Sequence, residues 1–281
     1  MGSAGVVQRA GAIIYIIWLR EIKTFIRERA RIVGMIAQPL LYLLVMGKGL
    51  ASAMSLDAAP GGLDYVKFMY PGIIGMSILF TSIFSAVSII WDREFGFLKE
   101  VLVAPVPRWG VAVGKSWGGA TVALFQSAIL ISLAPLLGIR LTPGLVVRLL
   151  PLAFLISFAI TSMGVAIAAR MESMQGFQMV MNFLVMPLFF LSGAMFPVSS
   201  APAWMKNLMV INPLSYGIDG LRNVIFSETM ITLEGGLERP LAEVAVKAGL
   251  IRWDLGTDIL IMVLVALVLT VVGAYSLNRV E

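Results

Sequence analysis

Long apolar runs alternate with short charged connectors along this chain. Runs at 32–50, 68–91, 112–139, 147–169, 174–196 and 257–278 are each predicted to cross a bilayer, a task that takes about 20 apolar residues. Gln38-Pro39 predicts a kink in the first run, and Thr142-Pro143-Gly144 a turn ahead of the fourth. No charged residue falls between Ser173 and Met205, which is longer than one crossing needs. Pro187, Ser192-Gly193 and Pro197 break that stretch, so the fifth span is expected to end near Phe196. Ahead of the first run, residues 9–31 read as an amphipathic helix lying in the membrane interface. Ile14, Trp18, Ile22 and Phe25 line its apolar stripe, and Arg20, Lys23, Thr24, Arg27 and Arg31 its polar one.

Two connectors stand out. Residues 92–108 follow the second run, and five of the nine residues after Trp91 are charged, so the segment cannot lie in hydrocarbon. As a short helix it has Asp92 at its N-cap and Ala104-Pro105 as its stop. Phe95, Leu98, Val101 and Leu102 would then face the chain's own helices, with Arg93, Gly96, Phe97 and Glu100 on the opposite face. Phe97, between opposite charges and beside a glycine, reads as a docking knob or as a side chain dipping into headgroups. The second connector, 199–226, is too short and polar to cross. It reads as two short helices broken at Asn212, which caps a helix opened by Pro213. A re-entrant hairpin in the outer leaflet fits it, with Tyr216 on the second helix and Asp219 and Arg222 spaced to pair. A hairpin that merely closes the outer side is the alternative.

Gly110, Gly114, Gly118 and Gly119 open the third run and predict close helix approach. Gly114-Lys115-Ser116 is not a phosphate-binding loop, because Trp109 stands where that pattern needs its first glycine. With the N-terminus, the 92–115 region, the Arg170 turn and the tail on one side, that side carries twelve Lys/Arg against seven Asp/Glu, and the other nine of each. The short inside loops are thus the Lys/Arg-rich ones, which puts both termini in the cytoplasm.

Composition narrows the function. The 281 residues are 59% hydrophobic and 13% charged, with mean hydropathy +0.93; the fold class is all-α, a polytopic membrane protein. Cysteine and histidine are absent, which removes disulfides, Cys/His metal sites and a histidine base. The first apolar segment runs into Arg20-Glu21 without a small-residue cleavage site, so insertion is expected to rely on the spans themselves. The net charge of +5 follows sidedness and suggests no nucleic-acid partner. Nothing pairs a nucleophile with a base, so no enzyme is expected. The assigned spans hold almost no ionisable residue, so a transport cycle needs energy from outside the chain. A secondary carrier and a non-transport assembly factor are the competing classes.

Asp92-Arg93-Glu94, Gly96, Leu98, Leu102 and Pro105, followed by a second apolar run, resemble the first cytoplasmic loop of type-2 ATP-binding-cassette (ABC) exporter permeases, closest to the drug-resistance and nodulation-export branch. Asn212-Pro213-Leu214-Ser215-Tyr216 with Asp219 and Arg222 resembles the family's extracellular re-entrant helices. Phe97 stands where many members carry Thr and matches the drug-export branch. The resemblance implies that Asp92, Arg93, Glu94, Phe95, Gly96, Phe97, Leu98, Lys99 and Glu100 form a coupling helix docking on a separate cytoplasmic ATPase. It implies no cofactor in this chain, with ATP and Mg held by the ATPase. It also implies a pathway between two permease copies in a cell membrane, carrying an amphiphilic cargo such as a drug, lipid or glycolipid. The Met- and Phe-rich faces of the second and fifth spans are expected to line it through Phe80, Phe84, Met181 and Met186, unless those side chains simply pack or face lipid.

Overall fold

The computed structural model describes residues 3–45, 65–95, 107–232 and 238–278. Helix α1 (Ser3–Arg27) breaks at Glu28 and continues as α2 (Arg29–Leu44). α3 (Tyr65–Ser85) and α4 (Val87–Glu94) are separated by a turn at Ala86. Then come α5 (Arg108–Ser132), α6 (Pro143–Ala168) and α7 (Met174–Phe190). The short helices α8 (Ala203–Ile211), α9 (Pro213–Glu228) and α10 (Leu241–Lys247) precede the last helix, α11 (Leu255–Asn278). A small antiparallel pair, β1 (Met230–Thr232) and β2 (Glu238–Pro240), lies between α9 and α10. The protein is an all-α, polytopic membrane protein. Among the described residues, Tyr65–Glu94, Pro143–Ala168 and Leu255–Leu277 are long and apolar enough to cross a bilayer, and Met174–Phe190 is a shorter apolar helix.

α3 is the axis of the bundle. It is apolar around its whole circumference and buried along nearly its whole length, as such a helix must be. α5, α6 and α9 pack on it, while α11 covers α5 and α6. The turn at Ala86 fits against Gly164 of α6, where an added Cβ would come within 2.9 Å of the Ala86 methyl. Helix ends follow local chemistry. Thr142 caps α6 by accepting from the Leu145 amide at 3.1 Å, and Ser173 caps α7 by accepting from Gly176 at 3.1 Å. α7 stops at Phe190 rather than near Phe196, and Gly193 beyond it takes a left-handed φ of 74°. α5 likewise stops at Ser132, short of residue 139, where a 3₁₀ turn at Ala134–Leu137 contains Pro135 and closes at Gly138.

The glycines of α5 do hold a close approach, and its partner is α1. A Cβ at Gly110 would meet Ile13 at 2.7 Å, at Gly114 Ile17 at 3.0 Å, and at Gly118 Glu21 at 2.6 Å. This flute selects which face of α1 is buried. Ile13, Ile17 and Phe25 are buried, whereas Ile14, Trp18 and Ile22 of the expected stripe are only half-buried. Tyr15, Ile16 and Ile26 stay exposed on another face. Gly118→Leu should therefore push α1 off α5 at a cost of about 1–3 kcal/mol. Gly11→Leu, with nothing within 4 Å, should cost little. Unfolding in mixed micelles compares the two.

Candidate functional site

The last turn of α4 forms an elbow where α1, α5 and the α6–α7 turn converge. Asp92 is 4% exposed there. Its carboxylate accepts a hydrogen bond from Arg20 of α1, and the Lys115 ammonium of α5 lies 2.5 Å from its other oxygen. Lys115 also donates to Glu21 at 2.5 Å and to Ser88 at 2.9 Å. The four formal charges cancel, as an ionic cluster with Asp92 and Lys115 buried at its centre demands. Burial works against the Arg20 charge, but its hydrogen bond to Asp92 and the Coulomb attraction of that carboxylate outweigh it, so Arg20 titrates above its ordinary range. Asp92 is thus no N-cap: it lies in the last turn of a helix, not the first, and binds two cations.

Arg93 points elsewhere. Its guanidinium donates to the carbonyls of Ala169, at 2.7 Å, and Met171, both in the turn between α6 and α7. Expected on the docking face, it instead clamps the chain's own backbone. The same turn is held from the other side by Arg170, which donates to Ser276 of α11 at 3.2 Å. Phe95, expected to face inward, is 82% exposed, because α4 ends there and the side chain leaves the bundle. Glu94 is also exposed. Gly96, Phe97, Leu98, Lys99 and Glu100 lie outside the described residues.

The opposite end of the bundle is built around α9. Asn212 caps it, its side chain accepting from the Leu214 amide at 3.0 Å, with Pro213 in the first turn. The Asn212 amide also donates to the Leu188 carbonyl at 2.7 Å. Tyr216 stacks on Trp253 with ring centroids 4.3 Å apart. Asp219 and Arg222 form no ion pair with each other; each hydrogen-bonds backbone groups distant in the chain. Asp219 accepts from the amides of Arg252 and Trp253 at 3.0 and 2.9 Å. Arg222, 1% exposed, donates to the Leu250 and Gly193 carbonyls at 3.0 and 2.9 Å and lies 4.5 Å over the Phe68 ring.

Between α3 and α7 lies an apolar cavity of about 170 Å³. Phe80 and Met186 both line it. Phe84 stacks on Phe80 at 6.3 Å and is 38% exposed. Met181 is fully buried on the seating stripe of α7 and is not among the residues that line this cavity. Sequence reasoning missed Arg20, Glu21 and Lys115 as partners of the elbow. The available signal was Lys115 itself, a lone cation at the start of an apolar run that needs a counter-charge nearby.

Residues 13–226 match the family model described as ABC-2 type transporter. The ycf38 transport permease of Cyanophora paradoxa is 30% identical over 199 residues, 70% of this chain and 68% of its own. Nodulation protein J of Rhizobium leguminosarum bv. trifolii is 26% identical over 204 residues, 72% of this chain and 76% of its own. The protein named probable multidrug ABC transporter permease YbhR, of Escherichia coli K12, is 24% identical over 198 residues, 66% of this chain and 51% of its own. The match takes in the elbow and α9 alike, and this chain belongs to the ABC-2 type transporter family of membrane permeases.

Proposed function

We propose that this chain is the membrane-spanning half of an ATP-driven exporter of an amphiphilic substrate, a drug, lipid or glycolipid. Two copies form the pathway, and separate cytoplasmic ATPase subunits hold ATP and Mg. In this reading both termini and the elbow face the cytoplasm of a cell membrane. α1 lies in its inner interface, α8 and α9 form the outer hairpin, and α2 to α7 and α11 supply the crossings. The observation that carries it is the elbow: a charged segment rigidly tied to α1 and α5 that turns Glu94 and Phe95 outward. An apolar ring and a carboxylate exposed beside a neutralised ionic cluster are suited to a protein groove. Residues 96–100, the rest of the expected coupling segment, follow directly in sequence. ATP-driven closure of the ATPases draws the two elbows together and reshapes the cleft beside Phe80, Phe84 and Met186.

The test is co-purification with a cytoplasmic ABC ATPase subunit from the same cell, followed by export in proteoliposomes. Phe95→Ala combined with Phe97→Ala should weaken the association by about tenfold or more, as truncating an aromatic anchor does. Insertion and the thermal unfolding midpoint should stay unchanged. Purified chain that moves cargo down an ion gradient without any ATPase would establish a secondary carrier instead. A chain that binds neither ATPase nor cargo would point to an assembly factor.

A further inference from the structure

We propose that Arg93 is a positioning residue that passes movement of the elbow to α7 and thereby sets the width of the apolar cavity between α3 and α7. The proposal rests on the exporter reading above, which supplies the movement.

The first support is direction. The planar guanidinium holds two carbonyls that flank Arg170, so it fixes the orientation of the turn as well as its distance. The second is stiffness. The first part of the turn is hydrogen-bonded: Ala169 donates to Val165 at 2.9 Å, Arg170 to Ile167 at 3.0 Å and Met171 to Ala168 at 3.1 Å. Ser173 then caps α7 directly. A single residue, Glu172, separates the Met171 carbonyl held by Arg93 from the Ser173 cap of α7.

The third support is the unequal hold on the two helices that the turn joins. α6 is packed by α3, α5, α9 and α11, and Arg170 fixes its end to α11. α7 is seated along one stripe only: Phe177, Met181, Val185 and Phe189 are buried, while Met179 and Phe183 are 75% and 81% exposed. A helix seated on one stripe shears or rolls more readily than one enclosed on several sides. Displacement of the turn is therefore taken up by α7. That helix contributes Met186, Phe189 and Phe190 to the cavity, facing Met76 and Phe80 of α3. Thioether side chains let such a wall change shape without opening voids.

The chain has no cysteine, so a label pair can be placed directly. Val180→Cys on α7 and Leu264→Cys on α11 are both surface positions away from the clamp, 39% and 52% exposed. In the spin-labelled permease–ATPase complex, the pair distance should differ between nucleotide-free and ATP-trapped states. Arg93→Met should abolish that difference and reduce export about tenfold, within the range of ordinary coupling between sites. ATPase association should stay at the parent level. Arg93→Lys, whose ammonium is a point charge rather than a fork, should restore part of the shift. Arg93→Met with the nucleotide-dependent shift intact, or with export at the parent rate, overturns the assignment. Should Arg93→Met fail to insert, the same two readings on Arg93→Lys decide: an undiminished shift overturns, a reduced one supports. If the parent chain binds no ATPase, it is the exporter reading that falls. The clamp is then judged on the isolated permease, where Arg93→Met must broaden the distance distribution and an unchanged distribution overturns it.

Discussion

Asp92→Asn should remove about 3–5 kcal/mol of stability, the range for breaking a buried ion pair by deleting one partner. The substitution leaves Arg20 and Lys115 facing Glu21 alone, a surplus positive charge around an ammonium whose side chain is only 3% exposed. α1 should loosen first, since Arg20 and Glu21 are its only charged contributions to the cluster. Hydrogen exchange should show protection falling over Ser3–Arg27 while α11 keeps its own. Adding Lys115→Met restores neutrality, with Arg20 left to Glu21, and should recover more than half of the loss. That recovery is the coupling a double-mutant cycle measures. An Asp92→Asn chain as stable as the parent, with α1 still protected, would show that glycine packing alone seats this helix.

Arg222→Met should be nearly as damaging at the other end. Methionine fills much of the space over Phe68 but donates to neither Leu250 nor Gly193, whose carbonyls then lie buried without a partner. Each orphaned group costs about 1–3 kcal/mol, so the pair should cost about 2–6 kcal/mol. Arg222→Lys keeps the charge but cannot span two separate carbonyls, and should recover only part. Equilibrium unfolding, together with protease cleavage in the 248–254 loop, measures the effect. Unchanged cleavage in Arg222→Met would refute the view that this side chain pins the loop.

Much of this was legible before any coordinates. The apolar runs place the helices, Asn212-Pro213 marks the start of α9, and the glycines of α5 announce a close neighbour. What the sequence left open has physical causes. In a membrane protein lipid and protein both welcome apolar side chains, so periodicity finds an apolar stripe without saying which medium it meets. That is why α1 buries Ile13 and Ile17 when Ile14 and Trp18 were expected. Arg93, Asp219 and Arg222 all bond backbone groups more than 25 residues away in the chain. A backbone carbonyl carries no signature in the sequence, so charged residues are readily paired with charged neighbours instead. Met181 shows the same ambiguity in one helix: positions 181 and 186 look alike, and only packing decides that one is core and the other lines a cavity.

The slot around Arg222 bears on how the protein is made. One of its carbonyl acceptors lies 29 residues earlier in the chain, and the other 28 residues later. During translation the arginine is therefore made before its second acceptor. A chain halted before Leu250 leaves the cation with the Gly193 carbonyl alone, so the slot is complete only once the segment leading into the last helix has been made.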